Sequence, residues 1–202
     1  MNARAERLAT PTVRTMAPPL QVAGWLNTPA PLTLEALRGR VVVLHAFQML
    51  CPGCVAHGLP QALRIRAAFA EQEVAVIGLH SVFEHHAAMT ETALRAFLHE
   101  YRIALPVAID APVAGSPVPA TMRAYALRGT PSLVVIDAAG RIRLDHFGAV
   151  DDLALGALLG QLTREAKLTA AAARPGTAAA RPAIDPLLEL DCSEAGCRMT
   201  DV

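Results

Sequence analysis

The 202-residue chain has little of what would place it in several large protein classes. Its 4 cysteines are too few for a disulfide scaffold, and no such staple is required at this length. Charge of either sign is not in excess: 18 Lys+Arg face 18 Asp+Glu, which removes the electrostatic reason to expect nucleic acid or an anionic membrane as a partner. No uninterrupted apolar run is long enough to span a bilayer. The uncharged stretch Thr15 to Leu34 is broken by Pro18, Pro19, Pro29 and Pro31, and Val41 to Leu63 by Pro52-Gly53. Residues Met1 to Arg14 carry Arg4, Glu6, Arg7 and Arg14 with no apolar core of a signal peptide, so a cytoplasmic location is expected.

At roughly 150 residues per domain, the length predicts one domain with an appendage. Residues 1–16 read as a flexible N-terminal arm, 17–167 as the domain, 168–186 as an Ala/Pro-rich linker and 187–202 as a disordered tail with two cysteines. Within the domain, the lead-in to Gly39 is Pro-punctuated and ends in one helical turn. The continuous apolar runs Val41–Phe47 and Val74–Leu79 have the composition of strands covered on both faces. Leu105–Ile109 is a third strand, and Leu133–Ile136 with Ile142–Phe147 forms a hairpin around Asp137-Ala138-Ala139-Gly140. Helices are expected from Cys54 to Ala70 with a kink at Pro60, from Glu91 to Tyr101 behind the N-cap Thr90, from Ala120 to Leu127, and from Asp151 to about Lys167. The alternation predicts an α/β fold, a central mixed sheet with helices on both faces.

The chemistry concentrates in Cys51-Pro52-Gly53-Cys54, where a buried strand ends and a helix begins. Unpaired N–H groups and the positive end of the helix dipole favour a thiolate at Cys51. Two cysteines three apart across a first turn can close a small disulfide ring, with Cys51 attacking and Cys54 resolving. The competing reading of such a pair is half of a metal site. It needs further ligands, for which His57, His80, His85 and His86 are candidates, but no second tight pair of ligands is present. A second signal is Gly129-Thr130-Pro131-Ser132, directly before a strand, a suitable place for a cis X-Pro bond.

Together these motifs resemble the thioredoxin superfamily. The lead-in Pro31-Leu32-Thr33-Leu34, the run Leu37-Arg38-Gly39-Arg40-Val41, and Tyr125 to Pro131 are similar to its TlpA-like, peroxiredoxin-like redoxin branch (AhpC/TSA type), over about Ala17 to Thr163. The resemblance implies a thioredoxin-like fold and a thiol–disulfide oxidoreductase. It makes Cys51 the nucleophile, Cys54 the resolving thiol and Pro131 the cis-proline beside the dithiol, with Thr130 offering backbone pairing to a client. Where thioredoxins carry a buried acid six residues before the first cysteine, this chain has His45, readable as a proton acceptor for Cys54 or as a core histidine bonded to backbone. The peroxidase alternative, with Cys51 peroxidatic, lacks the family's Pro and Thr/Ser at the positions held by Leu44 and Gln48. A metal-binding module or metallochaperone is the second alternative; neither cofactor nor metal is expected otherwise.

The tail motif Cys192-Ser193-Glu194-Ala195-Gly196-Cys197 reads as an auxiliary dithiol exchanging electrons with Cys51–Cys54, or as an incidental pair. A flexible linker of this length reaches roughly 25–30 Å, enough to return to the site. The expected partners are protein or small-molecule disulfide clients and a thiol reductant of the thioredoxin/thioredoxin reductase or glutathione type. His80, His85 and His86 are expected to form a polar rim at the reactive end of the sheet, and Phe69, Phe83, Phe97 and Met122 to be core.

Overall fold

The computed structural model describes residues 15–173 and the backbone of residues 190–193 and 196–199. Six strands form one sheet in the order β1-β4-β3-β2-β5-β6: β1 (Val22–Leu26), β2 (Val41–Phe47), β3 (Val74–His80), β4 (Val107–Asp110), β5 (Ser132–Ile136) and β6 (Ile142–Phe147). Strands β2, β3 and β4 are parallel, whereas β5, β6 and β1 run antiparallel to their neighbours. The expected mixed α/β sheet is therefore present, with the hairpin at one edge.

Strand β2 is central because its sequence leaves it no other place. All seven residues are buried, and the strand pairs with β3 on one side and β5 on the other. Period-2 alternation sends Val41, Val43 and Phe47 into one core and Val42, Leu44 and Ala46 into the other. The first core is closed by α1 (Leu59–Ala68), α2 (Glu91–Glu100) and α4 (Asp152–Ala172). The second is closed by α3 (Ala120–Ala124) and the turn holding Leu34 and Leu37.

Strand β1 was not expected. It is a short edge strand with Gly24 in the middle and a register shift between Val22 and Gly24, so it carries neither an apolar run nor clean alternation. The lead-in that precedes it is anchored at both ends. Met16 bridges to Arg141, the N–H of Ala17 donates to the Gly140 carbonyl, and the Gln21 carbonyl receives the Ala111 N–H before β1 pairs with β4. Residues 1–14 of the expected arm lie outside the described residues; Thr15 and Met16 do not hang free.

Other boundaries move for identifiable reasons. Strand β4 begins after Pro106, which has no N–H to give, although its carbonyl still accepts from Gly78. Helix α3 stops at Ala124, two residues before Ala126 takes a positive φ of 52°. Helix α4 continues past Lys167 to Ala172, since alanine has the highest helix propensity. Most of the linker lies outside the described residues. In the tail, expected to be disordered, β7 (Leu190–Ser193) and β8 (Gly196–Met199) pair as an antiparallel hairpin with Cys192 opposite Cys197. Among the described residues no helix is long and apolar enough to cross a membrane.

At the carboxyl ends of β3 and β4, Asp110 accepts from Ser81 Oγ at 2.8 Å and from the N–H groups of Thr121 and Met122 at 2.7 and 3.0 Å. Burial nevertheless raises its pKa. Replacing Asp110 with Ala strands three donors in the interior, so urea unfolding should show a loss of about 3 kcal/mol. A loss below about 0.5 kcal/mol, the level of an ordinary surface change, would show that the carboxylate is not a tie point.

Candidate active site

The reactive end of the sheet is built where β2 runs out. After Phe47 the chain turns through Gln48, whose carbonyl takes the Cys51 N–H at 3.2 Å. Cys51 is half-buried at the start of the following helical segment, and Cys54 is fully buried one turn on. Both are free thiols. The Cys54 N–H donates to Cys51 Sγ at 3.2 Å, so a main-chain dipole points at the outer sulfur. Cys51 Sγ donates in turn to the Thr130 carbonyl at 3.5 Å.

The second wall is the Thr130-Pro131 segment ahead of β5, with a cis peptide bond between the two residues. Pro131 lies against the cysteine turn: a Cβ built on Gly53 would come within 3.3 Å of Pro131 Cδ. Gln48 Nε2 donates to Thr130 Oγ1 at 3.4 Å and links the two walls. In the sequence Gln48 stands out only as the place of a missing hydroxyl, and nothing in its local pattern announces the contact. Leu50 and Phe147 are exposed apolar side chains at the ends of the segments that carry Cys51 and flank Gly129.

The expected kink takes a specific form. Residues Cys54–Gly58 are π-helical, with the Leu59 N–H reaching back five residues to the Cys54 carbonyl, and α1 begins with Pro60 near its N-terminus. Pro60 has no N–H to continue an i→i−4 ladder, and the wider turn absorbs that gap. The π turn ends at Gly58 against the ring of His45. A Cβ on Gly58 would lie within 2.4 Å of His45 Cε1 and Nε2, so only glycine fits.

His45 is on the same face of β2 as Val43 and Phe47, the face into which Cys54 also packs. Its ring is parallel to Phe47, 6.4 Å between centroids, and neither ring nitrogen has a protein partner. Burial pushes its pKa down to about 4. His80, the last residue of β3, is the mirror case: it tilts against Phe47 at 5.3 Å, its Nε2 is unpartnered, and burial pushes it down to about 4. It is therefore not a rim residue, unlike the exposed His85 and His86. The reason is register, since His80 lies beside Phe47 in the middle of the sheet. Cys54 is pushed up to about 12, chiefly by burial and then by its hydrogen bond with Cys51.

Among the described residues no three His, Cys, Asp or Glu side chains come together as a metal-ligand set, so the alternative metal reading of Cys51 and Cys54 finds no third ligand there. The Cys192 and Cys197 side chains lie outside the described residues; the backbone alone sets them opposite each other.

Set against known families, residues 12–154 match Redoxin. The chain belongs to the Redoxin family. This Redoxin chain is 31% identical over 154 residues to protein DipZ of Mycobacterium bovis and of Mycobacterium tuberculosis. The match covers 75% of the chain but only 21% of those relatives' length. Among solved structures, a thioredoxin-like superfamily protein is 57% identical with a TM-score of 0.72. A thiol-disulfide isomerase from Corynebacterium glutamicum is 54% identical with a TM-score of 0.70. Each match covers 73% of this chain and 96% of the other. The thioredoxin-like fold expected from the motifs is thereby established.

The two buried histidines give this Redoxin domain an acid-sensitive core. Their folded pKa values lie below the unfolded value, so protons bind preferentially to the unfolded chain as pH falls from 6.5 towards 4. The stability they withhold from the unfolded state is complete above pH 6.5 and is lost across that window, roughly 3 kcal/mol for each ring. Urea midpoints measured from about pH 7 to pH 4 should fall, with imidazole NMR signals of His45 and His80 not titrating above about pH 5. Normal titration of either ring near pH 6.5 would contradict its burial.

Proposed function

We propose that this thiol–disulfide oxidoreductase works through Cys51 as nucleophile and Cys54 as resolving thiol, reducing disulfides of polypeptide or small-molecule clients. The observation that carries the reading is the asymmetry of the two sulfurs. Cys51 is accessible and receives a main-chain N–H, whereas Cys54 is sealed in the core beside it. The Cys51 thiolate attacks a client disulfide, forming a Cys51–client bond and releasing one client sulfur as a thiolate that takes a proton from solvent. Cys54 then loses its proton and attacks Cys51 Sγ. The Cys51–client bond breaks, the Cys51–Cys54 disulfide forms, and the client leaves with two electrons gained. A thiol reductant of the thioredoxin or glutathione type returns the pair to the dithiol.

The backbone around Thr130-Pro131 supports a client in extended form, since Thr130 and Pro131 lie against the cysteine turn. The 54% identical thiol-disulfide isomerase supports the same chemistry. A peroxidase pocket has less support: Leu44 points into the core on the far side of the sheet from Cys54, and Gln48 is engaged with Thr130.

The finer proposal concerns the tail. Directly opposed cross-strand residues lie about 4.5–5.5 Å apart at Cα, within the span a disulfide accepts. Cys192 and Cys197 hold such positions, which supports a hairpin disulfide that trades electrons with Cys51–Cys54. The helix extension to Ala172 shortens the stretch before Cys192; a coil of about 20 residues has a reach of roughly 25 Å.

Insulin-disulfide reduction tests both proposals. Cys51→Ser should fall to the uncatalysed rate, and Cys54→Ser should accumulate a client mixed disulfide visible by mass spectrometry. Unchanged turnover in Cys51→Ser would defeat the assignment. The double variant Cys192→Ser/Cys197→Ser should turn over several-fold more slowly with the reductant in limiting supply, and a wild-type rate would remove the tail from the cycle.

A further inference from the structure

Strands β3 and β4 are parallel neighbours whose continuations part at their carboxyl ends. The chain leaving β3 enters α2, which closes the first core, and the chain leaving β4 enters α3, which closes the second. Adjacent strands whose connections turn to opposite faces leave a crevice between them, and open α/β sheets bind ligands at such switch points. A cavity of about 240 Å³ occupies this one. Neither Cys51 nor Cys54 lines it, so it is separate from the dithiol.

The walls are fixed by their own contacts. On the β3 side, the N–H groups of Ala88 and Met89 both donate to the His85 carbonyl, at 2.9 and 3.1 Å, and this turn delivers the buried Met89 to the cavity. On the β4 side, Pro112, Pro117 and Pro119 stiffen the return to α3, Val113 bridges to Ser116, and the Ala120 N–H donates to the Ala111 carbonyl at 2.8 Å. Polar groups in these walls are already engaged. Ser116 Oγ donates to the Val118 carbonyl and accepts the Val118 N–H, and Glu91 accepts from Arg95. The Asp110 carboxylate is taken up by Ser81, Thr121 and Met122. Among the buried polar groups of the lining, His80 is the exception: it is 2% exposed, and its Nε2 has no protein partner. Buried nitrogens in folded proteins are satisfied by protein, water or ligand.

Size and polarity define what fits. One water needs roughly 10–15 Å³ of such space, a small part of the volume, whereas an apolar cavity of roughly 150 Å³ already takes up benzene. Drug-sized ligands need about 300 Å³ or more, so the cavity suits a single substituted ring. Asp110 and Glu91 both line it and repel an anion. With both carboxylates engaged and the remaining walls largely apolar, nothing offsets the desolvation of a cation. The Met89 thioether and the proline rings suit an aromatic face. Burial pushes His80 down to about 4, so at neutral pH it presents an uncharged imidazole that matches an uncharged hydroxyl.

We propose that this cavity binds a small neutral phenol, with its ring among Met89, Leu94, Ile109 and Val113 and its hydroxyl hydrogen-bonded to His80. A phenolic hydroxyl both donates and accepts, so it pairs with the imidazole in either tautomer. The site does not depend on the roles assigned to the cysteines. Titration of the full chain with p-cresol, followed by amide NMR, should give saturable shifts centred on His80, Met89, Ile109 and Val113, with a Kd on the order of 1 mM. Toluene, the same ring without the hydroxyl, should bind about tenfold more weakly, and the anion 4-methylbenzoate should not bind. In His80→Phe, p-cresol should weaken about tenfold to the level of toluene. Val113→Trp, which fills the cavity from its half-buried wall, should abolish binding of both.

Shifts that do not saturate, or p-cresol binding that survives Val113→Trp, would overturn the site. An unchanged preference for p-cresol over toluene in His80→Phe would overturn the part given to the imidazole. Should His80→Phe fail to fold, equal binding of p-cresol and toluene by the unaltered chain would do the same. Cys51→Ser should bind p-cresol like the unaltered chain, which separates this site from the dithiol reading. N-acetyltyrosinamide distinguishes the two sources of a phenol: binding as tight as that of p-cresol makes a tyrosine side chain the occupant, and binding of p-cresol alone makes it a free small molecule.

Discussion

The reactive end of this molecule depends on fitting an imidazole beneath the first turns of a helix. His45 comes so close to Gly58 that any side chain there would collide with the ring. The backbone accommodates it by widening into a π turn, and Pro60 immediately afterwards makes the wider turn inexpensive because its missing N–H breaks the ordinary ladder in any case. That turn sets the depth of Cys54 and so the difference between the two sulfurs. A carboxylate in place of His45 would bring a charge into the core; the neutral ring brings only unsatisfied nitrogens.

Phe47 links this arrangement to the rest of the sheet. Its ring separates two histidines, His45 parallel to it and His80 tilted against it, both deprived of water by burial. Charging either imidazole there carries a desolvation cost, so both remain neutral and the dithiol looks onto a core without formal charge. The Asp110 cluster lies at the same end of the sheet, where Ser81, Thr121 and Met122 converge on one carboxylate and fix the ends of β3, β4 and α3. Side-chain and main-chain bonds thus hold the carboxyl ends of the parallel strands, the usual location of chemistry in such sheets.

Much of this was legible before coordinates. The two-sided burial of β2 follows from Val41–Phe47, and the position of Cys51–Cys54 at a strand–helix junction is local pattern. The pairing of that junction with Thr130-Pro131 came from the resemblance to a known superfamily. What escaped was non-local. Strand β1 has no periodic signal because its stability comes from pairing with β4, more than 80 residues away. The burial of His80 depends on register beside Phe47, and a histidine at the end of an apolar run looks the same whether it closes the strand inside or outside. The close fit of Gly58 to His45 joins residues 13 apart through a turn whose type no spacing rule anticipates.

The lead-in has a mechanical consequence. Residues 15–26 cross the whole width of the sheet, bridging to the β6 hairpin at one margin and becoming β1 at the other. Six strands at about 4.8 Å spacing make that width roughly 24 Å, so a dozen residues act as a belt fastened at both hems. Tension drawn along the chain ahead of Thr15 therefore loads the fastening at Arg141 first and reaches β1 only after it gives. With the whole belt gone, the flank of β4 stands bare, a raw margin ready to stack against a neighbouring copy.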